Sequence, residues 1–168
     1  MRHLRATLVA LVGTVSLVVG SAAVASAHSS HTILEFDSMT PVTGAAVGAV
    51  NDRGITGGGK AWVISSGVGE VDRDGSVHVT VHGLVIPALG FINPVAAFGA
   101  TVSCLTPHGV VNLHTGTAPA TSSGDATING TLNLPLPHPC QQPILFVTSP
   151  TGAWFAMSNA EEEDEAGD

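Results

Sequence analysis

Residues 68–86 read Val-Gly-Glu-Val-Asp-Arg-Asp-Gly-Ser-Val-His-Val-Thr-Val-His-Gly-Leu-Val-Ile. Val77, Val79 and Val81 alternate with His78, Thr80 and His82. That period of two makes a strand with one apolar and one polar face. Asp74-Gly75 stands just before the run, where a hairpin needs a residue that tolerates positive φ. The stretch predicts a long β-hairpin that seeds a sheet.

Toward the N-terminus, Ile33–Phe36 reads as a strand, punctuated by Pro41-Val-Thr-Gly44. Ala45–Val50 is small and apolar and predicts an edge strand. Arg53–Gly59 is a glycine-rich connection, and Ala61–Ile64 a further strand. Beyond the hairpin, Pro87–Pro94 breaks the regularity. Val95–Leu105 is the next strand, with Phe98, Ala100, Val102 and Cys104 on one face and Gly99, Thr101 and Ser103 on the other, so Cys104 points inward. Val110–Leu113 reads as a short strand and Thr115–Gly124 as loop. Ala126, Ile128, Leu132 and Leu134 alternate with polar residues as a half-buried strand. The four prolines of Leu134–Pro143 place that segment outside any sheet. Ile144–Thr148 is apolar on both faces, which predicts a central strand, and Ala153–Met157 is the last. Eight to ten short strands at this spacing, with no helical period, predict an all-β fold: a single antiparallel two-sheet sandwich, Ig-like or jelly-roll-like, over residues 28–160.

The 168 residues suffice for one domain. Residues 1–27 have the make-up of an export signal peptide: Arg2, His3 and Arg5, an apolar run from Ala6 to Val24, then Ala25-Ser26-Ala27 as a small-x-small cleavage site. An uncleaved membrane anchor is the alternative. No later stretch is long and apolar enough to span, so no membrane insertion is expected after cleavage, and the mature chain is expected to be a secreted, extracellular monomer. That chain carries three basic against thirteen acidic residues, a net charge of −10. A domain so poor in Lys and Arg has no phosphate-binding footprint, which argues against nucleic acid and against anionic membrane surfaces. Its only two cysteines, Cys104 and Cys140, are expected to form a disulfide in an exported protein; two buried free thiols are the alternative.

The motifs carry little chemistry. Gly54-Ile-Thr-Gly-Gly-Gly59 lacks the helix that a phosphate cradle needs, and reads as a loop with unusual φ values or a close approach of another strand. Asp72-Arg-Asp-Gly75 echoes a calcium loop without its later ligands and reads as a turn. His78 and His82 lie roughly 13–14 Å apart along one strand, too far to share a metal. His28 becomes the N-terminal residue if cleavage follows Ala27. Its amine and imidazole would then offer a copper site, as in secreted β-sandwich oxidases and copper carriers that begin with His. Such a site needs a further histidine, with His31, His108 or His114 as the candidates. The chain has no Tyr and little of the aromatic surface usual in polysaccharide oxidisers. No Gly-x-Ser-x-Gly elbow occurs, and no carboxylate spacing selects an acid–base pair. Residues 161–168, with six acids, have too little apolar content to fold and are expected to form a disordered acidic tail.

Several pieces together resemble a family of uncharacterised exported β-rich proteins, mostly actinobacterial, with no assigned activity. These are Leu34–Gly44, Arg53–Gly59 with Trp62, Asp74-Gly75 leading to Gly83–Ile86, Asn93-Pro94, Val102–Leu105, Gly124–Ala126 and Pro143–Phe155. The family usually has Pro before the Trp, where this chain has Ala61. The resemblance implies one exported domain and transfers no catalytic residue. The expected function is a non-catalytic binding or envelope-associated module for an extracellular or cell-wall ligand, without a cofactor. The alternative is a copper protein or copper-dependent oxidase built on His28, with His31 and His114.

Overall fold

A computed structural model describes residues 31–159. The expected signal peptide 1–27, His28 and the expected acidic tail 161–168 lie outside the described residues. Among the described residues nine strands form two antiparallel sheets. The first sheet has the order β1 (Thr32–Phe36), β3 (Ser66–Asp72), β4 (Ser76–His82), β7 (Ala126–Thr131). The second has the order β2 (Met39–Pro41), β9 (Trp154–Ser158), β8 (Gln141–Thr148), β5 (Ala97–Thr106), β6 (Gly109–Pro119). The chain is an all-β two-sheet sandwich.

The hairpin is the centre of the first sheet. Val71 pairs with Val77 and Gly69 with Val79, and β4 is flanked on its other side by β7. Val77, Val79 and Val81 are buried while His78 and His82 are exposed, as the alternation requires. Asp74 Oδ1 accepts from Ser76 N at 2.9 Å, Gly75 adopts φ 86°, and Thr32 Oγ1 donates to Asp72. The Asp74 carboxylate closes the turn, and the Asp72 carboxylate ties β3 to β1.

Between the sheets Trp62 stacks on Phe155 at 4.2 Å, with Phe98 edge-on to both. The glycine-rich connection is explained by close approach: a side chain at Gly58 would meet Phe155 at 2.9 Å and Trp62 Nε1 at 3.0 Å. Cys104 and Cys140 are disulfide-bonded with Cα atoms 4.9 Å apart, tying the proline-rich connection to β5.

Several elements differ from the sequence-based expectation. Ala45–Val50 forms no edge strand: residues 44–46 make a 3₁₀ turn, and Val50 makes only a bridge to Thr56. Ala61–Ile64 contributes a single bridge, Val63 to Val85, because Trp62 plugs the core instead of joining a ladder. β6 runs on to Pro119 through residues read as loop; their Thr, Gly and Ala side chains are compatible with an edge strand paired on β5. Leu134 is exposed, since β7 ends at Thr131 before the alternation does. Pro143 lies within β8, where a register irregularity between Ser103 and Leu105 absorbs it and Gln142 adopts φ 44°.

Candidate functional site on the outer face of the second sheet

The two sheets treat their outer faces differently. On the first, Glu70, His78 and Asn129 stand side by side in solvent. On the second, every residue of β5 from Phe98 to Cys104 is buried, including Thr101 and Ser103, which point away from the inter-sheet core. β8 is central, as its apolar pattern predicts, and Phe146 on its outward side meets Trp154 edge-on at 5.7 Å.

What covers this face is the loop 50–58. Asn51 Oδ1 accepts from Arg53 N and Ile55 N at 3.0 and 2.9 Å, folding the loop on itself. Trp154 N donates to Thr56 O and Gly58 N to Trp154 O, which lay the loop along β9. Asn112 Nδ2 donates to Arg53 O at 2.9 Å, anchoring it on β6. The Arg53 guanidinium crosses the sheet and donates through Nη2 to Gln142 O on β8 at 3.1 Å.

Arg53 is only 5% exposed, and among the described residues no carboxylate pairs with it. A buried charge normally has an ionic partner, because desolvation is costly otherwise. Among the described residues its Nη1 has no hydrogen-bond partner. Ser103 Oγ, Asn112 Oδ1 and Trp154 Nε1 are likewise buried and unpartnered. Ser103 and Asn112 are directly paired across β5 and β6, Asn112 holds the Arg53 backbone, and Trp154 lies under the same loop. The orphaned polar groups of the described residues thus gather on one face beneath one loop, where most buried polar groups of a folded protein are satisfied. They comprise a cationic donor, a hydroxyl, an acceptor and an indole donor.

A cleft of about 370 Å³ opens beside them, lined by Ile55, Thr56, Asn112, His114, Thr151 and Ala153 among others. His114 is exposed and lines the cleft, and its Nδ1 lies 2.9 Å from the hydroxyl of buried Thr101, which orients the ring. A larger cleft of about 450 Å³ runs between Thr32 and the segment Leu136–Cys140, but its cation, Arg73, is exposed.

The other sequence candidates are dispersed. His31 sits at the hairpin turn of the first sheet, where its carbonyl accepts from Arg73 N, while His114 is on the outer face of the second. His108 is in the exposed β5–β6 turn. Among the described residues no three His, Cys, Asp or Glu side chains form a metal-holding group. His82 Nδ1 lies 3.4 Å from Asp125 Oδ1 at the end of β4. Asp125 also accepts from Ser123 Oγ at 2.7 Å and Gly83 N at 3.0 Å. The Ser123 hydroxyl, the Gly83 amide and then His82 hold its carboxyl below the usual carboxylate range. Here the serine and histidine both bond the carboxylate and not each other, an arrangement that closes a turn and makes no nucleophile.

Arg53, Ser103 and Asn112 are the residues that reading by motif missed. One signal was present: Arg53 is one of three Lys or Arg residues after position 27, set inside a loop of Asn and Gly. No protein-family model, curated protein or solved structure matches the chain.

Proposed function

We propose that the protein is an exported, non-catalytic binding module that takes an acidic, hydroxyl-rich ligand, of the uronic-acid type found in envelope and extracellular glycans, on the outer face of the second sheet. The observation that carries this reading is the buried guanidinium of Arg53, paired with no carboxylate among the described residues, beside unpartnered Ser103, Asn112 and Trp154 atoms. A guanidinium offers a paired-donor fork to a sugar carboxylate. Asn112, His114, Thr56 and Thr151 around the cleft supply donors and acceptors for hydroxyls. Loop 50–58 would have to shift to admit the carboxylate to Arg53. The export signal, the disulfide and the resemblance to exported β-rich proteins support an extracellular setting.

Calorimetric titration of the mature protein with oligogalacturonate and with the matching neutral oligosaccharide tests this. Binding of the acidic form is expected, with quenching of Trp154 fluorescence and a loss of about tenfold or more in affinity in Asn112→Ala. Arg53→Lys retains the charge but not the fork, and is expected to weaken the acidic ligand alone. Equal binding of neutral and acidic sugars, or none of either, would overturn the proposal.

A further inference from the structure

We propose that the loop from Ile86 to Ile92 docks the protein peripherally on a net-neutral lipid surface, with Leu89, Phe91 and Ile92 entering the interfacial layer. The loop is closed by an Ile86–Ile92 bridge, by Leu89 N and Phe91 N both donating to Ile86 O, and by Gly90 N donating to Pro87 O. It is therefore a tightly bonded turn. Three large apolar side chains project from it: Leu89 at 41%, Phe91 at 65% and Ile92 at 49% exposure.

Phe91 adopts φ 61°, the left-handed region that bulky residues rarely occupy. The fold does not repay this strain, because the ring is exposed and takes part in none of the aromatic pairs among the described residues. Strain held without an internal return is a mark of a functional position. The electrostatics agree. Residues 75–124 contain no Asp, Glu, Lys or Arg, so nothing charged in the loop must be desolvated on docking. The nearest charge in the neighbouring Ala120–Asp125 turn is Asp125, already engaged by His82, Gly83 and Ser123.

The size of the patch selects its occupant. Three partly exposed side chains fall well short of the roughly 800 Å² per partner that a stable protein interface buries. Binding to a lipid interface has no such threshold and scales with the apolar area inserted, and aromatic rings favour that layer. The net charge of the whole chain is −8, and no basic residue lies in the loop, so the lipid must be neutral or zwitterionic and not anionic.

Flotation of the mature protein with phosphatidylcholine vesicles tests the proposal. Co-flotation is expected, reduced when phosphatidylserine is included. Phe91→Gly removes the ring and relieves the backbone, so it is expected to lower partitioning about tenfold or more while leaving Tm unchanged or raised. Leu89→Ser is a second variant with the same expected loss. Failure of the wild type to float, or flotation unaltered in Phe91→Gly, would sink the idea. So would Phe91-dependent self-association by light scattering without flotation, which would identify a second copy as the occupant.

Discussion

Asp125 shows how one exposed carboxylate organises a junction. It accepts from Gly83 and faces His82 at the end of β4 and holds Ser123 in its own turn, so two segments meet on one group. These donors favour the ionised form and depress its pKa; Asp74 is depressed likewise, first by Ser76 N. A depressed pKa means that the contribution to stability is present above the ordinary carboxylate value, about 3.9, and is lost as pH falls through the lower folded value. The urea midpoint of the wild type is therefore expected to drop on acidification below about pH 4. In an Asp74→Asn, Asp125→Asn double variant the same drop should be shallower; identical slopes would show that neither carboxylate contributes. Gly124 is a second residue of this junction. Its φ is 82°, and a Cβ would run into the Leu84 backbone. Gly124→Ala is expected to cost on the order of 3 kcal/mol in chemical denaturation.

At the scale of elements, the disulfide joins β5, at its own register irregularity between Ser103 and Leu105, to the residue just before β8. β8 starts at Gln141, immediately after Cys140, and its first residues carry the register irregularity around Gln142 and Pro143. Without the bond, that end of β8 is held to β5 by fewer regular ladder contacts. The 36-residue separation corresponds to a closure term of about 4 kcal/mol in the chain-entropy picture. Cys104→Ala with Cys140→Ala is expected to destabilise by about 2–5 kcal/mol in a urea melt. The oxidised protein should weigh two hydrogens less than the reduced one by intact mass. The connection 134–140 was legible as non-sheet from its prolines. The start of β8 was not, because a proline next to a bulge is tolerated where a proline in an unbroken ladder is not.

Over the whole molecule, charge is segregated. From residue 75 to residue 160 the chain carries one charged side chain, Asp125. The remaining acids and bases of the domain fall between Glu35 and Asp74, and six acids follow residue 160. Both proposed surfaces follow from that division: the cleft borrows Arg53 from the charged portion, while the loop 86–92 lies wholly in the uncharged one. Truncation after Ala160 is expected to leave Tm within a few degrees, since residues 161–168 offer one apolar side chain, Ala166, against a backbone ordering cost of roughly 1–2 kcal/mol per residue. A drop of more than several degrees in a thermal melt would show that this segment stabilises the domain.

Local pattern determined the elements whose own residues settle their state. Val77, Val79 and Val81 had to bury one face, Gly75 had to turn, Ile144–Thr148 had to be covered on both sides, and Cys104 had to point inward to meet Cys140. Tertiary structure decided what depends on partners distant in the chain. Ala61–Ile64 reads as a strand, yet Trp62 is worth more in the aromatic core with Phe98 and Phe155 than in a ladder. Arg53 and Ser103 look like surface residues, and only the fold of loop 50–58 over β5, β6 and β8 buries them. Phe91 reads as an ordinary loop residue until its backbone angle and exposure are known. Alternation along a strand reports which residues share a face. It carries no information on what the rest of the chain lays across that face, because that contact is made by residues 59 and 89 positions away.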